Sequence, residues 1–182
     1  CKHNLGQEQE NMSPSEKRIV ALDTETTGTS NEDKIVEIAC VEVIDGVIGS
    51  SWQTLINPKR EISAGAVAVH GLTNEFLEGQ PTFDEVVDDL NLFIGESTIL
   101  AHNISFDMRM LNNEYNALGM EPMRNETLCT LNAARRALKS EGIRFSLDSL
   151  CDYFEIDRTE RVIHGALVDT NLLVQVYFKM NA

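Results

Sequence analysis

The first third of the chain alternates apolar and polar residues with a period of two, which predicts β-strands. Residues 19–22 form a short apolar run that begins with a β-branched residue, as a buried strand does. Residues 34–44 alternate apolar with acidic or small side chains. The turn signal Asp45-Gly46 then leads into a further strand over 47–56. Three strands in such close succession predict an antiparallel meander.

The rest of the chain shows mainly the spacing of helices. A helix capped by Thr82 and ended by Gly95 is predicted first, followed by a short buried strand at 98–101 and a helix capped by Ser105. Residues 61–77 have no clear period and are expected to form a long connection. Later helices are predicted over 127–140 and 146–154 and from Gly165 onward, with a short strand near Leu128 left open. This order predicts an α/β fold, a mixed central sheet with three antiparallel first strands and helices packed on it.

Composition places the chain among ordinary globular proteins of one domain. It has 182 residues, of which 42% are hydrophobic and 24% charged, enough to bury a sizeable core. Residues 1–17 lack periodicity and are expected to form a flexible leader before a domain over 18–182. No apolar run is long enough to span a bilayer and no signal segment is evident, so a cytoplasmic protein without a membrane partner is expected. The four cysteines form no C-x-x-C pair, which disfavours a zinc site.

A net charge of −14 limits the ways in which the chain can meet nucleic acid. Proteins that grip long nucleic acids usually carry a basic field. A nucleic-acid function here must therefore be local, metal-assisted or supported by a partner. The sizeable basic cluster consists of Arg135, Arg136, Lys139 and Arg144. We interpret it as a solvated helix face rather than as a surface that steers a strand.

Two carboxylates stand at the end of the first strand. Asp23 and Glu25 are two residues apart, so in an extended chain their side chains point to the same face. Carboxylates crowded in this way raise each other's pKa, and a hard divalent cation between them removes the repulsion. The simpler alternative is a solvated acidic strand end, with Thr24 and Thr26 as ordinary turn residues.

Three other places carry polar residues that core packing does not explain. Asp107 and Asp169 each fall early in a predicted helix, where the helix dipole alone would favour an acid. His164 precedes Asp169, and His70 precedes a glycine in a tight loop. Either histidine alone is explained more simply as a packed or capping residue. Taken together, the four carboxylates and His164 fit one chemistry, the hydrolysis of a phosphodiester.

Phosphodiester hydrolysis needs an activated water, a neutralised phosphate and a stabilised leaving alkoxide. Two divalent ions meet all three needs, and Mg²⁺ requires only a few carboxylates because it keeps several waters. Asp23, at the strand end, is the best placed to bridge two ions. A histidine such as His164 suits the removal of a proton from the attacking water, since imidazole ordinarily titrates near pH 6.5.

Three segments of the chain resemble the exonuclease motifs of the DEDDh 3′→5′ exonucleases. Residues 23–28, 102–107 and 164–169 read DTETTG, HNISFD and HGALVD, in the order that the family has them. The pattern is nearest to the proofreading epsilon subunits of bacterial DNA polymerase III. The resemblance covers nearly all of residues 18–180, and a histidine at position 164 separates the chain from the subgroup that uses tyrosine.

The resemblance implies a ribonuclease H-like fold and an enzyme that releases nucleoside monophosphates from DNA 3′ ends with two Mg²⁺ or Mn²⁺ ions, as in replication proofreading. The metal ligands that it implies are Asp23, Glu25, Asp107 and Asp169. The implied general base is His164. The implied contacts to the terminal nucleotide are Thr26, His70, Asn103 and Phe106. One departure is Gly65, where the family pattern has an acidic residue. A substrate contact is therefore either missing or supplied by Glu61.

Three functions remain open on the sequence. The first is a DNA exonuclease that takes a single-stranded 3′ end beside a replicative polymerase subunit, which would supply the grip that the acidic chain lacks. Because the chain ends directly after the last predicted helix, either a catalytic domain or a stand-alone enzyme is expected. The second is an RNA 3′-exonuclease with the same chemistry, which would prefer a terminal 2′-hydroxyl. The third is a non-catalytic interaction module, disfavoured because all five site residues are present.

Overall fold

A five-stranded mixed sheet forms the centre of the protein. The computed structural model describes residues 17–159, 161 and 163–182, so the leader expected over 1–17 lies outside the described residues apart from Lys17. The strands are β1 (Arg18–Thr26), β2 (Ile35–Ile44), β3 (Val47–Leu55), β4 (Thr98–Ala101) and β5 (Thr127–Cys129). They lie in the order β3-β2-β1-β4-β5, with the first three antiparallel in succession and β4 and β5 parallel to β1. The mixed sheet expected from the sequence is therefore confirmed.

Helices cover both faces of this sheet. In the described part of the chain they are α1 (Ala64–His70), α2 (Asn74–Leu77), α3 (Phe83–Ile94), α4 (Ile104–Ala117), α5 (Thr130–Ala137), α6 (Leu147–Tyr153) and α7 (Ala166–Met180). Helices α3 and α4 pack on one face, and α7, supported by α5 and α6, packs on the other. Among the described residues, no helix combines the length and apolar character that crossing a membrane requires.

The alternation along β1 decides which helix each of its side chains meets. Leu22 is fully buried in the cluster with α3 and α4, whereas Ala21 is buried on the α7 face. Because successive side chains of a strand point to opposite faces, Asp23 and Glu25 continue the face of Ala21. Thr24 continues the face of Leu22. The strand therefore presents its two acids to α7 and the threonine between them to α4.

The segment 61–77 is not the irregular connection expected from the sequence, because it contains α1 and α2. The Ser63 side chain accepts a hydrogen bond from the Ala66 N–H at 3.2 Å and begins α1. Gly71 ends α1 in the left-handed conformation, with φ 74°. Thr73 caps α2 as Ser63 caps α1. The prediction is wrong because good caps sustain helices too short to show an apolar period.

Two helix starts also differ from the prediction. Ser105 does not cap α4; the N-cap is Asn103, which adopts the left-handed conformation with φ 64°, so the chain turns directly after β4. The helix predicted from residue 127 begins at Thr130, because the three residues before it pair with β4 as β5. Asp107 lies in the first turn of α4, as it would with either cap.

Candidate active site

The carboxyl ends of the parallel strands β1 and β4 lie at one edge of the sheet, and acidic residues gather there. Asp23 and Glu25 end β1 on the face covered by α7, and α7 carries Asp169 in its first turn. Single ligand atoms of Glu25, His164 and Asp169 all lie within 4.8 Å of one another. Crevices at such strand ends are common ligand sites in α/β proteins. The fold thus joins residues that stand far apart in the sequence.

Asp107 joins this group from the other face of the sheet. It is 3% exposed, and its Oδ1 accepts a hydrogen bond from the Thr24 hydroxyl at 2.7 Å. Thr24 is the residue of β1 that points toward α4, so this bond ties the helix to the strand end. The charge of Asp107 contributes to raising the pKa of Asp23, the residue before Thr24 in the chain.

Burial and mutual repulsion raise the pKa values of these carboxyl groups. The pKa of Asp23 lies well above its usual range, through burial first and then through the charges of Asp107 and Glu25. Burial raises the pKa of Glu25 to about 8, with further contributions from Asp169 and Glu37. Burial also raises the pKa of Asp107 to about 7, against the opposing effect of its hydrogen bonds. At neutral pH the metal-free cluster therefore holds protons that free carboxylic acids would have lost.

The donor set of this cluster fits hard divalent cations. Mg²⁺ and Mn²⁺ prefer carboxylate oxygens, and their charge offsets the repulsion that otherwise favours protonation. A cleft of about 240 Å³ opens onto Asp23, His164 and Asp169, so solvent and small ions reach them. Asp23 and Asp169 are thus reached from this cleft, and the whole donor set is chemically suited to a metal.

Arg161 places a cation among these acids. Its Nη2 donates to Asp169 Oδ2 at 2.7 Å, its Nε donates to the other oxygen of that carboxylate, and its Nη1 pairs with Asp148. Nη2 also donates to His164 Nδ1 at 2.7 Å. This residue is not among those predicted from the sequence; the available signal was its position three residues before His164. A metal ion that binds Asp169 has to displace this guanidinium or share the carboxylate with it.

Helix α1, which the sequence did not predict, supports two parts of the site. His70 is 3% exposed; its Nδ1 accepts a hydrogen bond from the Leu72 N–H at 3.0 Å, so its Nε2 carries the proton and donates to the Thr26 carbonyl at 3.0 Å. Burial lowers the pKa of His70, in keeping with a neutral ring. The Val69 carbonyl accepts the His164 N–H at 3.2 Å. Both ring nitrogens of His70 thus engage backbone groups, while the residue itself lines the larger of the two clefts.

A second cleft, of about 390 Å³, runs beside the acids and receives some of the residues expected to contact a nucleotide. Thr26, His70 and Phe106 line it. Gly65 lines it too, and a Cβ built there would meet nothing within 4 Å. Among the described residues, Asn103 and Glu61 are exposed and stand outside this lining. The structure therefore gives no support to Glu61 as a replacement for the acid missing at Gly65.

The raised pKa values predict that the metal-free protein loses stability as the pH rises from about 5 to about 8. The folded state keeps protons on Glu25 and Asp107, with pKa values of about 8 and about 7, after the unfolded chain has released them. Because the unfolded state binds fewer protons in this window, the free energy of unfolding falls as the pH rises. Mn²⁺ binds the ionised carboxylates, so it should raise the melting temperature most at the alkaline end.

Thermal unfolding with chelator and with Mn²⁺, across this pH window, tests that expectation. A melting temperature of the chelated protein that climbs steadily with pH would contradict the raised pKa values. Equal stabilisation by Mn²⁺ at both ends of the window would contradict ion binding by these carboxylates.

Comparison with known proteins relates this chain to exonucleases. Residues 20–177 match a family model for exonucleases of the RNase T type. The DNA polymerase III subunit epsilon of Rickettsia prowazekii (strain Madrid E) is 38% identical over 170 residues, which are 90% of this chain and 73% of that protein. The same subunit of Escherichia coli (strain K12) is 36% identical over 180 residues, 93% of this chain and 73% of that protein. Among solved structures, exonuclease X in complex with 5′-overhanging duplex DNA has a TM-score of 0.69 at 31% identity, covering 90% of this chain and 91% of that one.

Proposed function

The chain belongs to the exonuclease family, and we propose that it removes nucleoside monophosphates successively from the 3′ end of single-stranded DNA. The family has 3′→5′ exonuclease activity and a ribonuclease H-like fold. The sheet order described above agrees with that fold. The observation that carries the proposal is the gathering of carboxylates and a histidine at the end of β1, beside a cleft with an aromatic ring.

We assign two divalent ions, Mg²⁺ or Mn²⁺, to the acid cluster. Such a pair, when bound, supplies an activated water, neutralises the phosphate and stabilises the leaving oxygen. The proposed ligands are Asp23, Glu25, Asp107 and Asp169. Their support is the donor chemistry: the carboxyl groups are crowded enough to raise one another's pKa. Asp23 would hold the ions together with the other three acids, whose charges all act on it.

His164 is the proposed general base. Its side chain is 45% exposed, and its Nδ1 lies 3.1 Å from Asp169 Oδ2. The ring therefore reaches both the acid cluster and bulk water. In the metal-free structure His164 Nδ1 accepts Arg161 Nη2, so the ring would accept the proton of the attacking water, and pass it on to solvent, once that guanidinium is displaced.

The larger cleft is the proposed seat of the terminal nucleotide. The ring of Phe106 offers a surface for stacking, which tolerates any base because every base has a π-face. Thr26 lines the same cleft at the end of β1, and His70 holds its carbonyl in place. Asn103, exposed at the start of α4, remains a proposed contact.

A polymerase partner is proposed to supply the DNA affinity that this chain lacks. With a net charge of −14 the protein as a whole repels a DNA backbone. The relatives described above are named as subunits of DNA polymerase III, and exonuclease X was solved with duplex DNA that has an overhang. We therefore propose a proofreading role in the cytoplasm, on 3′ ends presented by a replicative polymerase.

Two single-stranded oligonucleotides of the same sequence, one DNA and one RNA, test the proposed function. Each carries a 5′ label and is incubated with Mg²⁺, Mn²⁺ or chelator. We expect a metal-dependent ladder that shortens the DNA from its 3′ end. A DNA of the same sequence with phosphorothioate linkages at the 3′ end is the matched control and should resist shortening.

The other outcomes separate the competing functions. A ladder on RNA alone would contradict DNA as the substrate and indicate RNA trimming by the same residues. The absence of any ladder from a folded, metal-binding protein would contradict an enzyme and favour an interaction module.

A further inference from the structure

Glu37 is a buried acid that neither the metal assignment nor the core explains. It lies on β2, directly opposite Glu25 of β1, and is 6% exposed. Its charge further raises the pKa of Glu25, so it adds repulsion to a cluster that is already crowded. A buried charge is unfavourable unless other groups compensate it. The contacts of the Glu37 carboxylate must therefore stabilise its charge in this buried position.

The carboxylate of Glu37 is bonded to the start of α7. Its Oε2 accepts the N–H of Ala166, the first residue of the helix, at 3.1 Å, and its Oε1 accepts the Gln53 side-chain amide of β3 at 2.6 Å. The N-cap of α7 is Gly165, which has no side chain to accept the free N–H groups of the first turn. Glu37 thus caps α7 from 129 residues away in the sequence. Its charge also suits the positive end of the helix dipole.

The start of α7 is also where two residues of the site lie. Asp169 is in the first turn of the helix, and His164 comes two residues before Ala166. We propose that Glu37 is a positioning residue, whose carboxylate fixes the start of α7 against β2 so that Asp169 and His164 meet the acids of β1. This inference rests on the proposed function, in which those two residues take part in the chemistry.

Two substitutions separate the hydrogen-bond acceptor from the volume of the side chain. Glu37→Met removes the acceptor and keeps a side chain of similar length, whereas Glu37→Gln keeps an oxygen that can accept the Ala166 N–H. We expect Glu37→Met to lower kcat on single-stranded DNA, and the affinity for Mn²⁺, by about 10- to 100-fold, as loss of a group that supports metal ligands commonly does. The KM for the oligonucleotide should change by less than about twofold, because the nucleotide cleft is untouched. Glu37→Gln should recover most of both losses.

Glu42→Met is the matched control. Glu42 lies on the same strand, where its carboxylate accepts Arg18 Nε at 2.6 Å and the Ser50 N–H at 3.0 Å, at the end of β1 away from the acids. This variant should unfold at a lower temperature and yet keep the kcat and Mn²⁺ affinity of the wild type. A merely structural role for Glu37 would make Glu37→Met behave in the same way.

Hydrogen exchange of the Ala166 amide tests the cap itself, in the wild type as well as in the variants. The first N–H of a helix has no partner within the helix. We expect slow exchange in the wild type, fast exchange in Glu37→Met and slow exchange in Glu37→Gln. An unprotected Ala166 amide in the wild type overturns the proposal, as does a folded Glu37→Met with unchanged kcat and Mn²⁺ affinity.

The binding and exchange measurements do not depend on nuclease activity. A wild-type protein that binds Mn²⁺ but cleaves neither DNA nor RNA would overturn the proposed function. Loss of Mn²⁺ affinity and of Ala166 protection in Glu37→Met would then still support the positioning role, and their retention would still refute it.

Discussion

Asp23→Asn is expected to lower nucleotide release from single-stranded DNA by about 10³-fold or more, while the metal-free protein becomes more stable. Asparagine keeps the shape of the side chain but removes the charge on which both proposed ions depend. Bound metal supplies several kcal/mol of transition-state stabilisation, and a loss of about 4 kcal/mol corresponds to about 10³ in rate. Stability should rise because the charges of Asp107, Glu25 and Asp169 all oppose an ionised Asp23. Single-turnover cleavage in Mg²⁺ and thermal unfolding in chelator measure the two effects.

Asp88→Asn is the control for this experiment. Asp88 is an exposed acid in the middle of α3, so its replacement makes the same change in net charge away from the site. It should leave both the rate and the melting temperature close to those of the wild type. If Asp23→Asn kept near-normal activity, the metal assignment would be wrong.

His164→Ala is expected to lower kcat by about 10² to 10⁴-fold, the usual contribution of a general base. The ring is half-exposed and faces Asp169, so its removal takes away a proton acceptor without opening a cavity in the core. The variant should still shorten DNA from the 3′ end, only slowly, because the carboxylates remain. Single-turnover rates at neutral pH, with saturating Mg²⁺, measure the effect.

Ile163→Ala tests whether disturbance of the neighbouring backbone explains the loss. Ile163 is 57% exposed and lies next to His164 in the chain. Its replacement should leave kcat within about twofold of the wild type, because an exposed apolar side chain contributes little to structure. Equal rates for wild type and His164→Ala would rule out the histidine as general base.

The local parts of the fold could be predicted from the sequence, because their causes are local. The apolar run before Asp23 and the hairpin at Asp45-Gly46 specify β1 and its antiparallel neighbours, and both turn residues adopt positive φ. The period of two along β1 also predicts that Asp23 and Glu25 share a face. Helices α1 and α2 could not be predicted in this way, since seven and four residues are too few to show a period.

The hydrogen bonds that hold the acids in place join distant parts of the chain. No pattern in the sequence indicates these bonds. Thr24 resembles a turn residue until α4 brings Asp107 against it. Glu37 resembles an ordinary polar position of a half-buried strand until α7 begins beside it. The sequence also gives no sign that both ring nitrogens of His70 bond to backbone groups of Thr26 and Leu72.

The motifs did not predict Arg161, whose positive charge changes the electrostatics of the site. The motifs give acids and a histidine, which suggest a site that is purely anionic before metal binds. In the fold, a guanidinium with 6% of its side chain exposed lies between Asp148 and Asp169. It offsets part of the repulsion that raises the pKa values of Asp23 and Glu25. The metal-free site is therefore less unstable than four carboxylates alone would make it.

Calorimetric titration with Mn²⁺ measures whether the acids at the end of β1 hold two divalent ions. In the presence of a nucleoside 5′-monophosphate, the product of the proposed reaction, we expect two Mn²⁺ ions per chain for the wild type. We expect Asp23→Asn to lose both, or to retain a single weak one, while Asp88→Asn binds as the wild type does. If Asp23→Asn bound two ions with unchanged affinity, these acids would not be the metal ligands.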